Sequence, residues 1–215
     1  VVTRLRNSGT RSRNLTVVTK VTDAAGKEAG FRSMAVPVRA GATAFVAPTL
    51  DVLEPHLWNG RADPYLYSVA SEVWDGKRLV DRVTQHFGIR SFRVDPNEGF
   101  FLNGKSLKLH GVSRHQDREG KGWGLTPADH AEDMALIAEM GANSVRMAHY
   151  QHADEWSDEA DKAGMATWAE VPYVTTPSLR GGQGSPALWA NAEQQLRELI
   201  RQNYNHPSIM MWSIG

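Results

Sequence analysis

The sequence contains no cysteine, which excludes disulfides, zinc sites with cysteine ligands and thiol nucleophiles. It also lacks a charge imbalance, since lysine plus arginine and aspartate plus glutamate both number 24 and no basic run is long enough to follow a phosphate backbone. No apolar run reaches the roughly 18 residues of a membrane span. Neither nucleic acid nor a membrane is therefore expected as a partner. The compartment stays open, because a chain without cysteine, signal or transmembrane segment is compatible with cytoplasm, periplasm and secretion.

The first part of the chain, residues 1–95, has the periodicity of β-strands. Apolar and polar residues alternate from residue 15 to residue 22, which is typical of a strand with one buried face. Two further β-rich runs, 65–74 and 79–89, flank Asp75-Gly76, a dipeptide that favours a hairpin turn. Short strands, frequent turns and the absence of a long helical pattern predict an immunoglobulin-like β-sandwich.

From about Phe100 the periodicity changes to strands that alternate with helices. The strand candidates are residues 107–112, 144–148, 165–171 and 209–214. The helix candidates run from Thr126-Pro127 to Gly141, from 153 to 163, and from Ser185-Pro186 onward. Strict alternation indicates a parallel sheet, and no glycine-rich phosphate loop follows the first strand as a dinucleotide fold requires. Residues 96–215 are therefore predicted to form the first half of a (β/α)8 TIM barrel, and no cofactor is indicated.

Polar residues are concentrated where the predicted barrel strands end, which is where TIM barrels place their chemistry. Residues 110–117 follow the first strand and form either a solvated loop or part of a site. In the second strand Val145 and Met147 share one face, so Arg146 points to the opposite, inward face. A buried arginine needs an anionic partner. Glu170 at the end of the third strand is a plausible one, and an ordinary structural salt bridge is the alternative.

Histidine and tryptophan side chains near the same strand ends favour a carbohydrate ligand. His149 lies just past the second strand, where it is either a donor to a ligand hydroxyl or an ordinary loop residue. Trp168 accompanies Glu170, and Trp212 lies near the end of the fourth strand, where it is equally a candidate core residue. Apolar sugar faces stack on tryptophan, while carboxylates and imidazoles bind hydroxyls. We therefore predict a sugar site.

Two other kinds of site are less well supported. His149 and His152, with Glu155, superficially resemble a metal-ligand set, but residues that span a strand end and a helix start need not converge, so no metal site is predicted. Ser113 and Ser185 lack the G-x-S-x-G elbow of a serine nucleophile.

Four segments, in order along the chain, resemble glycoside hydrolase family 2. They are residues 57–67 with 87–92, residues 101–105 with 110–115, residues 143–150 with 161–164, and residues 205–208 with 212–215. The first resembles the end of the family's immunoglobulin-like domain, and the last resembles the strand that in the family continues into Asn-Glu. Three departures stand out: Ser113 and Gln116 replace the usual asparagine and glutamate, and Gln151 replaces a common proline.

The resemblance implies a retaining exo-β-glycosidase that works by double displacement with two glutamates beyond Gly215, so this chain alone is expected to be inactive. It implies that His115 and His149 contact the sugar or stabilise the transition state, and that Arg146 holds the nucleophilic glutamate. Gln151 and residues 168–172 are similar to the β-galactosidase branch, so terminal β-D-galactosides are the expected substrates. β-Glucuronidase and β-mannosidase remain alternatives, as does a non-catalytic carbohydrate-binding or scaffold role. A homo-oligomer is compatible with the sequence.

Overall fold

The computed structural model describes residues 1–173 and 184–214. The chain forms two compact units, of which the first comprises residues 1–56 and 66–87 and the second comprises residues 57–65 and 88–215. Gly215, the last residue of the fourth family-like segment, lies outside the described residues. No helix in the described part of the chain combines the length and the apolar composition needed to cross a membrane.

The first unit is the predicted antiparallel β-sandwich. Its strands are β1 Thr3–Arg6, β2 Arg13–Thr22, β3 Glu28–Val38, β4 Thr43–Val46, β5 Tyr67–Asp75 and β6 Arg78–Phe87. One sheet has the order β3-β2-β5-β6, and β1 pairs with β4. Leu5, Val17, Val46 and Val73 form a core shared by the two sheets. The strand alternation read from the sequence therefore corresponds to one buried face of β2.

The second unit begins with a short 3-10 helix, Gly60–Ala62, and a three-stranded antiparallel sheet. This sheet consists of β7 Phe92–Asp95, β8 Gly99–Leu102 and β9 Lys105–Ser106. Asn103-Gly104 forms the turn between β8 and β9, as its composition predicts, and both residues have positive φ angles.

Four parallel strands then alternate with three helices, which confirms the first half of a TIM barrel. The strands are β10 Gly111–Arg114, β11 Ser144–Met147, β12 Ala166–Glu170 and β13 Ile209–Ser213, in that order in the sheet. The helices are α1 Pro127–Glu139, α2 Asp154–Ala163 and α3 Pro186–Asn203. Their apolar faces enclose a core that includes Met134, Val145, Trp156, Ala169 and Leu199.

The prediction for the first barrel strand is wrong in position, because β10 begins at Gly111 rather than at residue 107. The side-chain amide of Asn143 binds the backbone just before it, donating to the Lys108 carbonyl and accepting from the His110 N–H. These backbone groups are therefore satisfied without a strand ladder. Gly111 itself has no space for a side chain, since a Cβ there would overlap Ser144.

The helix boundaries follow local capping signals. The Thr126 hydroxyl accepts from the Asp129 N–H, and the Asp129 carboxylate accepts from the Thr126 N–H, so α1 begins in a capping box. At the start of α3 the Ser185 side chain accepts a hydrogen bond from the N–H of Leu188, which is a simple N-cap. Gly164 ends α2 in the left-handed conformation with φ 71°, a conformation that favours glycine.

Candidate active site

The register of the parallel sheet decides which side chains face the interior of the barrel. Ser113, Arg146 and Trp168 are aligned across three neighbouring strands. The next positions along, Arg114, Met147 and Ala169, form a second aligned row. Because Met147 and Ala169 belong to the helix-facing core, the row that contains Arg146 faces the opposite, interior side.

Arg146 and Glu170 form a two-point ion pair at the ends of β11 and β12. The Nε atom of Arg146 donates to Oε1 of Glu170 at 2.7 Å, and its Nη2 atom donates to Oε2 at 3.1 Å. Glu170 is completely buried, whereas the Arg146 side chain keeps 36% of its exposure. A buried carboxylate without a cation costs several kcal/mol, so Glu170 requires the Arg146 guanidinium. Glu170 thus supplies the buried anion that an inward-pointing Arg146 needs.

His149 completes a triad of side chains with Arg146 and Glu170. Its Nδ1 atom lies 3.1 Å from Nη2 of Arg146 and 3.4 Å from Oε2 of Glu170. A guanidinium only donates hydrogen bonds, so the shorter contact makes Nδ1 an acceptor and places the imidazole proton on Nε2. No other described residue binds the Nε2–H group, which can therefore donate to a ligand hydroxyl.

A row of rings leads outward from this triad. The His115 ring meets the His149 ring edge-on at 5.2 Å between centroids, and it lies 6.4 Å from Tyr150. Trp123 stacks on Tyr150 at 4.9 Å with an angle of 28° between the planes. Sequence reasoning missed Trp123 and Tyr150 as site residues, although each lies in a segment directly after a barrel strand, which is the signal that could have identified them.

Gln116 ties the loops after β10 and β11 together. Its backbone N–H donates to the Tyr150 hydroxyl at 2.9 Å, and its side-chain oxygen accepts from the N–H of Ala153 at 2.7 Å. Ala153 is the N-cap of α2 and has no side-chain oxygen of its own for capping. Gln116 therefore supplies the missing cap from another loop.

A cavity of about 710 Å³ lies over these residues. Its lining comprises His115, Gln116, Trp123, His149, Tyr150, Gln151, Glu170, Val171, Pro172, Gln195, Glu198, Leu199 and Gln202. Of the residues predicted from sequence, the structure thus brings together Arg146, His149, His115 and Glu170. Trp168 is 38% exposed on the Arg146 side of the sheet but is not part of this lining. Trp212 packs against the same core as Met147 and Ala169 and is not part of this lining, so its contact with a substrate stays a prediction.

A second arginine cluster lies on the helix-facing side of the sheet. Arg114 donates to Oδ2 of Asp133 at 3.0 and 2.7 Å, and to the Nδ1 atoms of His130 at 3.0 Å and His152 at 3.3 Å. Its guanidinium also lies 4.0 Å from the centre of the Trp156 ring. Burial lowers the pKa of His152 to about 4, and it also lowers the pKa of His130, which the nearby Arg114 charge depresses further.

These contacts also bear on the metal-ligand set that His149, His152 and Glu155 resemble in the sequence. His149 binds Arg146 in the cavity, whereas His152 binds Arg114 and the Ala148 carbonyl on the other side of the sheet, so the two imidazoles do not converge. Within residues 1–173 and 184–214, the one group whose ligand atoms do converge is Asp158, Asp161 and His206. There, however, Asp161 already accepts from the Ser208 N–H and pairs with His206 at 2.7 Å, which links α2 to the start of β13.

Comparison with known families identifies the origin of this arrangement. Residues 1–90 match the description "Glycosyl hydrolases family 2", and residues 93–215 match "Glycosyl hydrolases family 2, TIM barrel domain". The chain belongs to glycoside hydrolase family 2. The family expected from the four motifs is therefore confirmed.

Relatives within family 2 include enzymes named for two different sugars. The chain is 45% identical over 181 residues to a β-glucuronidase of Bacteroides fragilis, covering 83% of this chain and 26% of the relative. It is 30% identical over 215 residues to a β-galactosidase of Bacteroides ovatus, covering 100% of this chain and 25% of the relative. The crystal structure of a Bacteroides uniformis β-glucuronidase superposes with a TM-score of 0.91 at 35% identity, covering 98% of this chain and 25% of that one. The chain thus spans about a quarter of these relatives.

Proposed function

We propose that the protein containing this chain is a retaining exo-β-glycosidase that removes terminal β-D-glucuronosyl residues. Support for the sugar comes from the 45% identity to a β-glucuronidase, against 30% to a β-galactosidase. The β-galactoside substrate expected from Gln151 and residues 168–172 is therefore less well supported than its β-glucuronide alternative. β-Galactoside hydrolysis stays as the second candidate, because the β-galactosidase relative matches the whole length of this chain.

The observation that carries the proposed reaction is the Arg146–Glu170–His149 triad, of which Glu170 and His149 line the cavity. Retaining hydrolysis uses two carboxyl groups about 5 Å apart, one as nucleophile and one as acid and base. Nη1 of Arg146 has no hydrogen-bond partner among the described residues, while the other two nitrogens are held by Glu170 and His149. That free nitrogen is positioned to bind a further carboxylate, whose anionic form a neighbouring cation stabilises.

The two histidines have complementary tasks in this proposal. His149, with its proton on Nε2, donates to a sugar hydroxyl, and its Nδ1 atom keeps the ring against Arg146. His115 packs edge-on against the His149 ring and so limits its rotation while lining the same cavity. Hydrogen bonds in a water-poor pocket orient the sugar and discriminate between its hydroxyl groups.

Among the described residues, the cavity lining contains neither lysine nor arginine, and the free nitrogen of Arg146 is assigned here to the catalytic carboxylate. A glucuronosyl carboxylate needs a cation or several N–H donors. Residues other than this lining therefore bind that carboxylate in the proposed complex. The lining makes the contacts that all β-glycosides share.

The test is a comparison of substrates with the whole protein that contains this chain. We expect kcat/KM for 4-nitrophenyl β-D-glucuronide to exceed that for the β-D-galactoside and the β-D-mannoside by at least roughly 100-fold, because a site built for a carboxylate discriminates against sugars that lack it. Proton NMR of the first product should show retention of the anomeric configuration. Preference for the galactoside would favour the second candidate, and binding without hydrolysis of any substrate would favour the non-catalytic alternative.

A further inference from the structure

Trp123 is an unusually exposed aromatic side chain in the cavity. It keeps 67% of its exposure, although tryptophan is buried on average. One face of its indole stacks on Tyr150, and the side chain lines the same cavity as His115, His149 and Glu170. An exposed aromatic ring beside converging polar groups is the usual composition of a ligand site.

The loop that carries Trp123 is held firmly to helix α1. Arg118 donates to Asp129 at 2.9 Å and to Asp133 at 2.8 Å, and Lys121 donates to both oxygens of Asp129 at 2.7 and 2.8 Å. The Lys121 hydrogen bond, together with bonds from Thr126, holds the pKa of Asp129 well below its usual range. The loop is therefore anchored at Arg118 and at Lys121, and its backbone also closes on itself between Arg118 and Gly122. A ring held in this way loses little conformational entropy when it binds a ligand.

The order of the rings indicates which part of a glycoside Trp123 would meet. Glu170 is completely buried, His149 contacts it, and His115, Tyr150 and Trp123 follow at 5.2, 6.4 and 4.9 Å between successive centroids. Glu170 at one end of this row is completely buried, whereas Trp123 at the other end is exposed. An exo-acting enzyme binds the terminal sugar at the closed end of its pocket, so the leaving group extends toward the open end.

We propose that Trp123, supported by Tyr150, is the stacking platform for the ring of the leaving group, either an aryl ring or a second sugar. The inference rests on the proposed exo-glycosidase function, because that function sets the direction of the substrate in the cavity. Aromatic and apolar ring faces stack on indole at about 4.5 to 7 Å between centroids. With one face on Tyr150, the indole has its other face for the ligand.

The test uses non-hydrolysable 1-thio-β-glycosides of the sugar that the whole protein hydrolyses, with either a phenyl or a methyl leaving group. Inhibition constants are measured for wild type, Trp123→Ala, Trp123→Phe and the matched control Trp189→Ala. Trp189 is also half-exposed and stacked on a tyrosine, Tyr173, but does not line the cavity. We expect Trp123→Ala to weaken the phenyl compound roughly tenfold and the methyl compound less than twofold, with Trp123→Phe in between and the control unchanged.

The possible outcomes separate the two proposals. Equal weakening of both compounds would make Trp123 a contact of the terminal sugar, and unchanged inhibition would show that the ring is not a ligand platform. Either result overturns the inference while the proposed function stands. A wild-type protein that binds and hydrolyses no glycoside overturns both proposals together. Melting temperatures of the variants establish that any loss of binding occurs in folded protein.

Discussion

Two arginines at the ends of neighbouring strands, Arg114 and Arg146, illustrate how one set of chemical groups serves two purposes. Each arginine binds a carboxylate through two nitrogen atoms and also contacts a histidine Nδ1 atom. They differ in direction, because Arg114 aligns with Met147 in the helix-facing core, whereas Arg146 aligns with Ser113 on the opposite, interior side of the sheet. The face of the strand, and not the type of side chain, separates the two environments.

The two clusters also differ in how many of the arginine's guanidinium nitrogens have hydrogen-bond partners. Arg114 is 6% exposed, all three of its guanidinium nitrogens have partners, and its plane covers Trp156. Arg146 keeps a free nitrogen and more than a third of its side-chain exposure. A fully satisfied cluster joins β10 to α1 and α2, whereas an incompletely satisfied cluster is available to a ligand. We therefore propose that Arg114 stabilises the fold and that Arg146 serves the reaction.

The largest effect on stability is expected from Arg114→Ala. This change removes the buried partner of Asp133, which keeps an ion pair with the more exposed Arg118, and it also removes the contact with Trp156. Breaking a buried pair costs about 3 to 5 kcal/mol, and the remaining ion pair places the expected loss near the lower end of that range. Urea unfolding of the whole protein should show this loss in the transition that includes the barrel, while turnover below the melting temperature stays near the wild-type value. Normal stability with lost turnover would reverse the roles of the two arginines.

The histidines of the Arg114 cluster should make the fold sensitive to acid. Burial lowers the folded pKa of His152 to about 4, below the unfolded value of about 6.5. Its contribution to the free energy of unfolding is therefore complete above pH 6.5 and is lost as the pH falls toward 4, by about 3 kcal/mol in all. His152→Gln should flatten this part of the stability curve when unfolding is measured from pH 7 to 4.

His206 provides the matched control for this pH dependence. Burial lowers its pKa, but the hydrogen bond and the charge of Asp161 outweigh burial and raise the pKa above its ordinary value. Its contribution is thus present at low pH and lost as the pH rises through the folded pKa. His206→Gln should therefore leave the acid loss below about pH 6.5 unchanged, and a flattening equal to that of His152→Gln would contradict the assignment.

A smaller effect on stability is expected at Gln116, which links the loop after β10 to the loop after β11. Gln116→Ala leaves the N–H of Ala153 without its acceptor and should cost about 1 kcal/mol, as loss of an N-cap does. Gln116→Glu restores the residue usual in the family and keeps an acceptor at the N-terminus of α2, so it should change stability by less than about 1 kcal/mol. Thermal melting measures the loss of stability in each variant. Equal losses would show that the hydrogen bond between the Gln116 side chain and the Ala153 N–H contributes nothing measurable.

Local signals in the sequence predicted much of the fold. Capping residues such as Thr126 and Ser185, and the alternation in β2, act within a few positions and were readable directly. The start of β10 was not, because the side chain that binds its approach comes from Asn143 in a distant part of the chain. The direction of Trp212 was also unpredictable, since a register shift next to Trp168 decides which face of β13 it occupies.

The candidate site was predicted in part for the same reason. Alternation around Arg146 gave its inward direction, and its charge required an anion, so Glu170 could be named as a partner from the sequence. Trp123 could not, because its position depends on ion pairs between Arg118 or Lys121 and a helix that follows the loop. Its platform role, the roles of His115 and His149, and the domain boundary near residue 95 stay predictions.

The most direct test of the account applies one substitution, arginine to lysine, to both clusters in the whole protein. Lysine keeps the charge but cannot reproduce the bidentate fork. The measurement is kcat on 4-nitrophenyl β-D-glucuronide, or on the β-glycoside that the wild type prefers, at a temperature where both variants are folded. We predict that Arg146→Lys lowers kcat roughly 100-fold, about 2.7 kcal/mol, and that Arg114→Lys changes it less than about threefold. Equal losses of kcat in the two variants, or a larger loss for Arg114→Lys, would contradict the claim that Arg146 serves the reaction and Arg114 the fold.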